Sequence, residues 1–567
     1  TRTTQNTTLK ILDANRKPLA SNEGIPDSFG GGGSNNDTDP YIRYTFNTPG
    51  IYFVEVSTRE LVEKFEILNL TGADPTAVLT ELPKPPTDLR RVDVDPNLEP
   101  SDPFPTLHVS LLDTQFQSNN GLFSTTRGGG SAGNITIKGE SLSISDNGLI
   151  NNSTSGRGNA GNILLDIEGN VDILNDGQIL SRVNPSGIGN GGDIVIGRES
   201  SPIGSLSISN DGFIDAAVFG QGSAGNISIN TEDKISIFNR GGIYSRIESV
   251  GVGEGGDISR QGESLSVNNG GFIDKSTLGQ GNAGNVDAII SGRILLDDGK
   301  ISSNVGFDVT EQTNLAEAIV DSANGDAGNI TIKSESLYIQ NRAFLDTAVF
   351  GTGNAGDVSI NATNSVALND GVVFSRIEQD GSGNAGNISI KTPTLSINDG
   401  GITTSTFFDI TEQTESNETE NNTDSNSTIT VRADEVKLSG NGGTLLADGS
   451  SEDGGILANT FGTDPGGDIV LQPYTSSGDI EFTTTGNTSQ ISASTLGSGP
   501  GGSITIQNAE VVRLDNTQLL TRSGQPEGSE ATESDSISDL GPAGDITIQD
   551  VDVLLMRENS LIQAGAS

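Results

Sequence analysis

The stretch Gly353-Asn354-Ala355-Gly356-Asp357-Val358-Ser359-Ile360 decides the fold, because the chain repeats its pattern about a dozen times. Each copy has a glycine, then asparagine, aspartate or occasionally serine, then two aliphatic residues with one other residue between them. These anchor glycines are Gly133, Gly161, Gly192, Gly225, Gly256, Gly284, Gly328, Gly356 and Gly386, followed more loosely by Gly467, Gly502 and Gly544. The regular copies are 28 to 33 residues apart. Self-similarity at such a period indicates a stack of structural repeats.

The residues inside one period indicate which kind of stack forms. In one such period Ile227 and Ile229 alternate with polar residues, as do Ile235 and Ile237. Alternation with a period of two predicts short strands, about three to a coil. A single coil cannot bury its inner face, so like strands of successive coils must stack in parallel, about 4.8 Å apart. We therefore predict an all-β chain in which residues 106–567 form a right-handed parallel β-helix of about 14 coils.

The composition fits a narrow aliphatic core and restricts the partners. The 567 residues include 75 glycines, only 4% aromatic residues, and neither tryptophan nor cysteine. A formal net charge of −44 argues against nucleic acid and anionic membrane as partners, and it favours loosely held divalent cations. The lack of cysteine excludes disulfides and thiolate metal sites. The chain starts at Thr1 without methionine, so we interpret it as processed or as part of a longer protein.

Residues 1–81 differ from the repeats and predict a small β-sandwich domain of their own. The segments 41–46 and 52–56 flank a Pro-Gly turn and predict a hairpin. The run from Leu12 to Val56 resembles the bacterial pre-peptidase C-terminal domain family, whose opening strands would precede Thr1, which implies an incomplete sandwich. Residues 82–105 contain seven prolines and predict an extended linker.

Calcium is the best candidate ligand of this amino-terminal domain. Asp13, Asn15, Asp37 and Asp39 supply the carboxylate and amide oxygens that hard cations prefer. The alternative is that all four are ordinary turn residues. No other cofactor is expected.

Acidic inserts interrupt the repeats at 307–326, 408–427 and 525–541. The first two open on nearly the same sequence, beginning at Phe307 and Phe408, and at the same place in their coils. Insertions in a solenoid map to loops on one face, so we expect all three to project from one side. Arg260 stands where the repeat has an aliphatic residue, and we expect a local distortion there.

Three recurring motifs suggest chemistry and have a structural interpretation beside it. The G-x-G-x-x-G pattern at 351–356 resembles a dinucleotide-binding fingerprint, but that fingerprint is followed by a helix, whereas here a strand follows. The pattern also recurs in other coils, so glycines at tight corners explain it better. No nucleotide is therefore expected. A second motif is an asparagine or aspartate at equivalent positions of successive coils, shortly before the turn glycine. It predicts either a ladder of side-chain hydrogen bonds from coil to coil or a ligand site. Its members are Asp146, Asn175, Asn210, Asn239, Asn268, Asp297, Asn341, Asn369 and Asn398. A third row, which recurs on alternate coils, predicts a solvated salt-bridge stripe or, less well, catalytic groups: Arg182, Arg246, Arg376, Glu248 and Glu378.

The repeats resemble those of filamentous-haemagglutinin-like exoproteins of the two-partner secretion class. The blocks that carry the resemblance are of the type Gly-Asn-Ala-Gly-Asn-Ile-Ser-Ile, as at 383–390, and Leu-Ser-Ile-Asn-Asp-Gly-Gly-Ile, as at 395–402. The resemblance implies a non-enzymatic bacterial protein, secreted or at the cell surface, that acts as an adhesin or as the subunit of a head-to-tail filament. Its expected partners are further copies of itself, cell-surface carbohydrate or other cells. The alternative is a carbohydrate-active β-helix enzyme, a polysaccharide lyase or hydrolase.

Overall fold

The computed structural model describes residues 121–566, except 307–322, 379–380, 406–426, 441–443, 446–450, 453–454, 462–463, 477, 487–488, 497–498 and 525–540, together with the backbone of six earlier strands. The described part of the chain contains strands and turns but no helix. It divides into two compact units. Residues 82–105 and the four candidate calcium ligands lie outside the described residues.

The first unit comprises Thr1–Asn119, Thr126–Gly130 and Ile137–Gly139. Its six early strands are Thr7–Leu12, Pro18–Asn22, Tyr41–Thr45, Phe53–Thr58, Val62–Glu66 and Thr106–Ser110. Phe53–Thr58 pairs antiparallel with Thr7–Leu12 and with Val62–Glu66. Tyr41–Thr45 pairs antiparallel with Thr106–Ser110, and not with Phe53–Thr58 as the predicted hairpin required. The hairpin prediction is therefore wrong, although the strands that it proposed are present.

The second unit is a solenoid of parallel strands, three to a coil. We name each coil by its anchor glycine. The anchor strands are Ile135–Gly139, Ile163–Ile167, Ile194–Ile196, Ile227–Asn230, Ile258–Gly262, Val286–Ile290, Ile388–Lys391, Thr428–Arg432 and Asp468–Gln472. The middle strands are Leu142–Ile144, Val171–Leu174, Leu206–Ser209, Lys234–Phe238, Ser264–Asn268, Arg293–Asp297, Thr394–Asn398, Glu435–Gly440 and Ile480–Gly486. In four coils these two strands are continuous, as Ile330–Gln340, Val358–Asn369, Ile504–Asp515 and Ile546–Arg557.

The third strand of each coil belongs to a second sheet. These strands are Gly121–Phe123, Leu149–Asn151, Gln178–Leu180, Phe213–Asp215, Gly242–Tyr244, Phe272–Asp274, Lys300–Ser302, Phe344–Asp346, Val372–Phe374, Gly401–Thr403, Gly455–Leu457, Ser489–Ser492, Thr517–Ser523 and Leu561–Ala566. Thr460–Phe461 and Thr495–Leu496 extend this sheet, and Thr444–Leu445 forms a small antiparallel pair with Ser451–Glu452. The anchor and middle strands make a 22-stranded sheet and the third strands a 16-stranded one. The prediction of an all-β chain with long parallel sheets is confirmed.

The register of the sheets stacks like side chains directly over one another. Ile196 pairs with Ile229, and in the next column Ile208 pairs with Ile237. The predicted inward residues Ile227, Ile229, Ile235, Ile237 and Ile243 are all fully buried. Because the same column of aliphatic residues continues through the coils, the core is a narrow rod of Ile, Leu and Val that needs few aromatic residues.

Arg260 corrects one expectation about this core. The strand Ile258–Gly262 keeps an unbroken register, with Ile229 beside Arg260 on one side and Ala288 on the other. Arg260 is fully buried and points inward, so the predicted local distortion is wrong. The small side chain of Ala288 provides the space that an isoleucine would fill.

The predicted acidic inserts fall almost entirely outside the described residues. The described chain resumes at Ala323, Ser427 and Gly541, close to the end of each insert. Their placement on one side of the rod therefore stays a prediction. Within the described part, no helix is long and apolar enough to cross a membrane.

Candidate functional site

The row Arg182, Arg246 and Arg376 lies just after the third strands, on alternate coils. Nη1 of Arg246 donates to Oδ2 of Asp274 in the next coil at 2.8 Å, and its Nε donates to Oε1 of Glu248 at 2.8 Å. Arg182 makes the equivalent ion pair with Asp215, at 2.5 Å. Arg182 and Arg246 therefore each join their own coil to the following one, whereas Arg376 pairs with Glu378 of its own coil.

The ion pairs of Arg246 and Arg376 are buried, and that of Arg182 is part-buried, so the prediction of a solvated stripe is wrong. Arg246 is 7% exposed, Arg376 1% and Asp274 0%. Aromatic rings on the outer face of the third strands cover the guanidinium groups. Arg376 lies 4.2 Å from the ring centroid of Phe374, and Arg246 lies 4.8 Å from that of Tyr244. Such contacts stabilise a cation that has lost much of its water.

The rings themselves form a second apolar cluster outside the rod core. Its buried members are Phe272, Phe344, Ala348, Phe350, Val372 and Phe374, with Tyr244 packed against them. Tyr244 lies between Phe213, which it meets edge to face at 5.8 Å, and Phe272, a tilted contact at 4.8 Å between ring centroids. We call these rings and the arginine–aspartate pairs the outer cluster. Its arginines are paired with carboxylates and covered by rings, which is the arrangement of a structural support.

Asp346 is the carboxylate of the outer cluster that burial perturbs most clearly. Burial raises its pKa above the usual range, although hydrogen bonds from Asn304 and from the backbone N–H of Ala348 act in the opposite direction, as does the charge of Arg376. Nδ2 of Asn304 donates to Oδ2 of Asp346 at 3.0 Å. Asn304 thus takes the place that an arginine occupies in the Gly161 and Gly225 coils.

The sequence interpretation did not include the aspartates of the outer cluster. Asp215, Asp274 and Asp346 each end a third strand, on the coils between those that carry arginine. An alignment of the repeats by coil would place an acidic residue next to each arginine and could have found them. The glutamates Glu248 and Glu378 were found, and both contact the arginine of their own coil.

Side chains of asparagine and aspartate form ladders along the corners of the solenoid. The backbone N–H of Asp193 donates to Oδ1 of Asn162 at 2.9 Å, and the N–H of Asn226 donates to Oδ1 of Asp193 at 2.9 Å. The same bond joins Asp257 to Asn226, Asn285 to Asp257, Asn329 to Asn285, Asp357 to Asn329 and Asn387 to Asp357. The residue after each anchor glycine therefore links its coil to the next.

The second predicted ladder lies at the turn before the third strand, and its structural interpretation is confirmed from Asp146 to Asn239 and between Asp297 and Asn341. Nδ2 of Asn210 donates to Oδ1 of Asn175 at 3.0 Å, and Nδ2 of Asn239 donates to Oδ1 of Asn210 at 3.1 Å. Their φ angles of 48° to 51° lie in the left-handed region that asparagine tolerates. In the Gly256 coil the ladder passes through Asn269 and not through the predicted Asn268.

The glycines of the G-x-G-x-x-G pattern are corner residues. Gly353 has a φ of 145°, and a Cβ built on it would lie 1.8 Å from the carbonyl oxygen of Gly325 in the preceding coil. A side chain would therefore separate the coils. This close approach is repeated at Gly383, where a Cβ would lie 1.8 Å from the carbonyl oxygen of Gly353.

An open groove of about 620 Å³ follows the corner between anchor and middle strands, from the Gly225 coil to the Gly356 coil. Exposed polar side chains line it, among them Glu232, Gln261, Glu263 and Lys333. Ile289, 44% exposed, supplies an apolar surface on its floor. Amide, carboxylate and ammonium groups beside an apolar patch can bind a polar, hydroxyl-rich ligand.

The candidate calcium ligands Asp13, Asn15, Asp37 and Asp39 lie outside the described residues, so the calcium site stays a prediction. Among the residues with described positions, no three histidine or acidic side chains come close enough together to hold a metal ion. No protein-family model, no curated protein and no solved structure matches the chain. Function must therefore be argued from the solenoid and its surfaces.

Proposed function

We propose that this chain is a structural and adhesive protein of a bacterial surface, either secreted or attached to the outer membrane, of the filamentous-haemagglutinin-like type. In this proposal residues 106–567 are a right-handed parallel β-helix that acts as a stiff rod. Residues 1–81 form a separate β-sandwich, with calcium as a candidate ligand of Asp13, Asn15, Asp37 and Asp39. Cell-surface carbohydrate or another cell is the partner.

The observation that carries the proposal is that the same contacts recur from coil to coil. The asparagine ladder, the arginine–aspartate pairs and the aliphatic column all join neighbouring coils with one repeated geometry. Such a stack resists bending and shear because each coil is tied to the next at several corners. A catalytic site would instead be local and single.

Electron microscopy and glycan binding test this proposal together. The purified chain is expected to appear as a straight rod and to bind bacterial or host cells. Binding should be retained on an array of immobilised glycans and lost when soluble glycan competes. A globular particle without rod shape, or a chain that binds no cell and no glycan, would contradict the proposal.

Self-association into a head-to-tail filament is the second part of the proposal. Val553, Leu554 and Met556 in the last described coil are 47%, 47% and 42% exposed. Either a further coil of a longer polypeptide or another copy of the chain would cover them, and we propose the second. Contacts of this kind do not close on themselves and so build filaments. Sedimentation should show polymers whose length grows with concentration; a compact monomer at every concentration would defeat this part.

The open groove is the one observation that favours the alternative, a carbohydrate-active enzyme. Glu232 and Glu263 line it from neighbouring coils, and glycoside hydrolysis uses a pair of carboxylates. Incubation with polysaccharides distinguishes the two functions. An adhesin binds and releases the intact glycan, whereas an enzyme releases products and loses that activity in the variant Glu232→Gln/Glu263→Gln.

A further inference from the structure

The interior of the Gly256 coil differs chemically from every coil beside it. Arg260 occupies a position that is isoleucine in the Gly225 coil and alanine in the Gly284 coil. Lys275 follows the third strand, where the neighbouring coils have Ser245 and Ser303. Both cationic side chains are fully buried, Arg260 in an apolar column and Lys275 in a column of small polar residues.

The polar groups in this interior have no hydrogen-bond partner. They are Nε, Nη1 and Nη2 of Arg260 and Nζ of Lys275. A buried cation without a partner is strongly destabilising, so native proteins almost always pair one. The interior of this coil therefore lacks an acceptor.

The serines of adjoining coils show what Lys275 replaces. The hydroxyl of Ser303 donates to the carbonyl oxygen of Gly284 at 2.8 Å and accepts from the N–H of Gly328 at 3.0 Å. Ser245 likewise donates to the carbonyl oxygen of Gly225, at 2.7 Å. The serine thus ties the corner together, whereas the lysine in its place leaves its ammonium group unbonded.

The two cations act on one another inside the coil. Burial lowers the pKa of Lys275 from 10.5 to about 7; the charge of Arg260 lowers it as well, while those of Asp257 and Asp274 raise it. Neither aspartate fills the gap. Oδ2 of Asp274 is bonded to Arg246, and the side chain of Asp257 accepts the N–H of Asn285 at the exposed corner.

We propose that the Gly256 coil encloses one small inorganic anion, chloride in a physiological medium, held by Arg260 and Lys275. Two buried cations that lack an acceptor form the donor set of an anion site. A divalent cation is excluded by the same charges. Ala288, which stacks next to Arg260, is smaller than the isoleucine that the following coil has at that position.

This inference does not depend on the proposed function, and halide-dependent stability tests it. The full chain is unfolded thermally at constant ionic strength while sodium gluconate is replaced by sodium chloride or bromide. A ligand that binds only the folded state raises the melting temperature as its concentration increases. We expect a rise of several degrees in the unfolding transition that includes the Gly256 coil.

The variant Arg260→Ile/Lys275→Ser is the matched test, because it introduces the residues found in the preceding coil. It is expected to fold and to lose the halide-dependent rise. The control Arg293→Ser removes an exposed arginine of the next coil and should keep that rise. Equal halide dependence in the double variant would overturn the proposal, because the effect would then come from general salt binding.

Crystals grown in bromide provide a direct readout. The anomalous signal of bromide is expected between Arg260 and Lys275 in the unmodified chain, and it should be absent in the double variant. A water molecule or an empty space at that place in bromide would refute the anion site.

Discussion

Ile229→Asp is expected to be much less destabilising than the same change at an equivalent inward isoleucine. Ile229 is fully buried, with Ile196 on one side and Arg260 on the other in the parallel register. An aspartate here would be adjacent to a guanidinium group whose three nitrogens lack partners. Adjacent strands are about 4.8 Å apart, so the carboxylate and the guanidinium group can meet.

Ile360→Asp is the matched comparison. Ile360 is 1% exposed in the same column of anchor strands, and its neighbours are Ile332 and Ile390. A carboxylate among these three aliphatic positions has no partner, and we expect a loss on the order of 3 to 5 kcal/mol or more. Both changes delete the same isoleucine, so the difference between them measures the charge pair.

The magnitude of that difference follows from the charges. Two unit charges 4 Å apart attract by about 4 kcal/mol at an effective dielectric constant of 20. Part of this attraction is lost to imperfect geometry, so Ile229→Asp should cost about 2 to 4 kcal/mol less than Ile360→Asp. In an Arg260→Ile background the advantage should disappear, which completes a double-mutant cycle.

Hydrogen exchange is the suitable assay, because a long stack of repeats does not unfold in a single two-state step. The opening free energy of the amides in Ile227–Asn230 is compared with that in Val358–Asn369, in buffer without halide. Equal losses at the two sites, or an advantage that persists without Arg260, would show that the assumed register or the inward direction of Arg260 is incorrect.

Three further predictions concern the same contacts. Burial lowers the pKa of Lys275 from 10.5 to about 7 in the folded chain, so between these values the unfolded chain binds more protons and the stability rises with pH. Without halide, the unmodified chain should gain about 2 kcal/mol relative to Lys275→Ser from pH 7 to pH 9, measured by hydrogen exchange in the Gly256 coil. A difference that stays constant with pH would contradict the lowered pKa of Lys275. Asp274→Asn should lower the opening free energy of the strand Phe272–Asp274 by about 3 kcal/mol, because it leaves the buried Arg246 without one of its carboxylates. A loss below 1 kcal/mol would mean that Glu248 alone is enough to stabilise the charge of Arg246. Asn226→Ala removes one acceptor of an exposed ladder and should cost only about 1 kcal/mol, by the same measurement, with a larger loss pointing to a role beyond that bond.

Much of the fold follows from local pattern. Alternating isoleucines such as Ile235 and Ile237 can bury one face only in a strand, and a repeat of about 30 residues can bury it only against its own copies. The turn asparagines follow from the same reasoning, because a left-handed φ at a corner favours asparagine or glycine whatever surrounds it. These features depend on residues close in sequence, so sequence alone was sufficient for them.

Other features depend on which residues the register places side by side. The pairing of Arg182 with Asp215 and of Arg246 with Asp274 joins different coils, and the sequence interpretation had taken these arginines for a solvated stripe. Whether their outer face is covered depends on the packing of aromatic rings from several coils. Such burial arises only when the strands are assembled.

Arg260 marks the limit most clearly. The sequence places this cationic residue where the repeat has an aliphatic one, and a distorted strand is a reasonable expectation from that. The sequence by itself determined the all-β parallel stack and its inward columns, because local alternation and repeat length leave few other ways to bury aliphatic residues. Only the tertiary structure decided that Arg260 and Lys275 are both buried without an acceptor, because their burial depends on the register between coils.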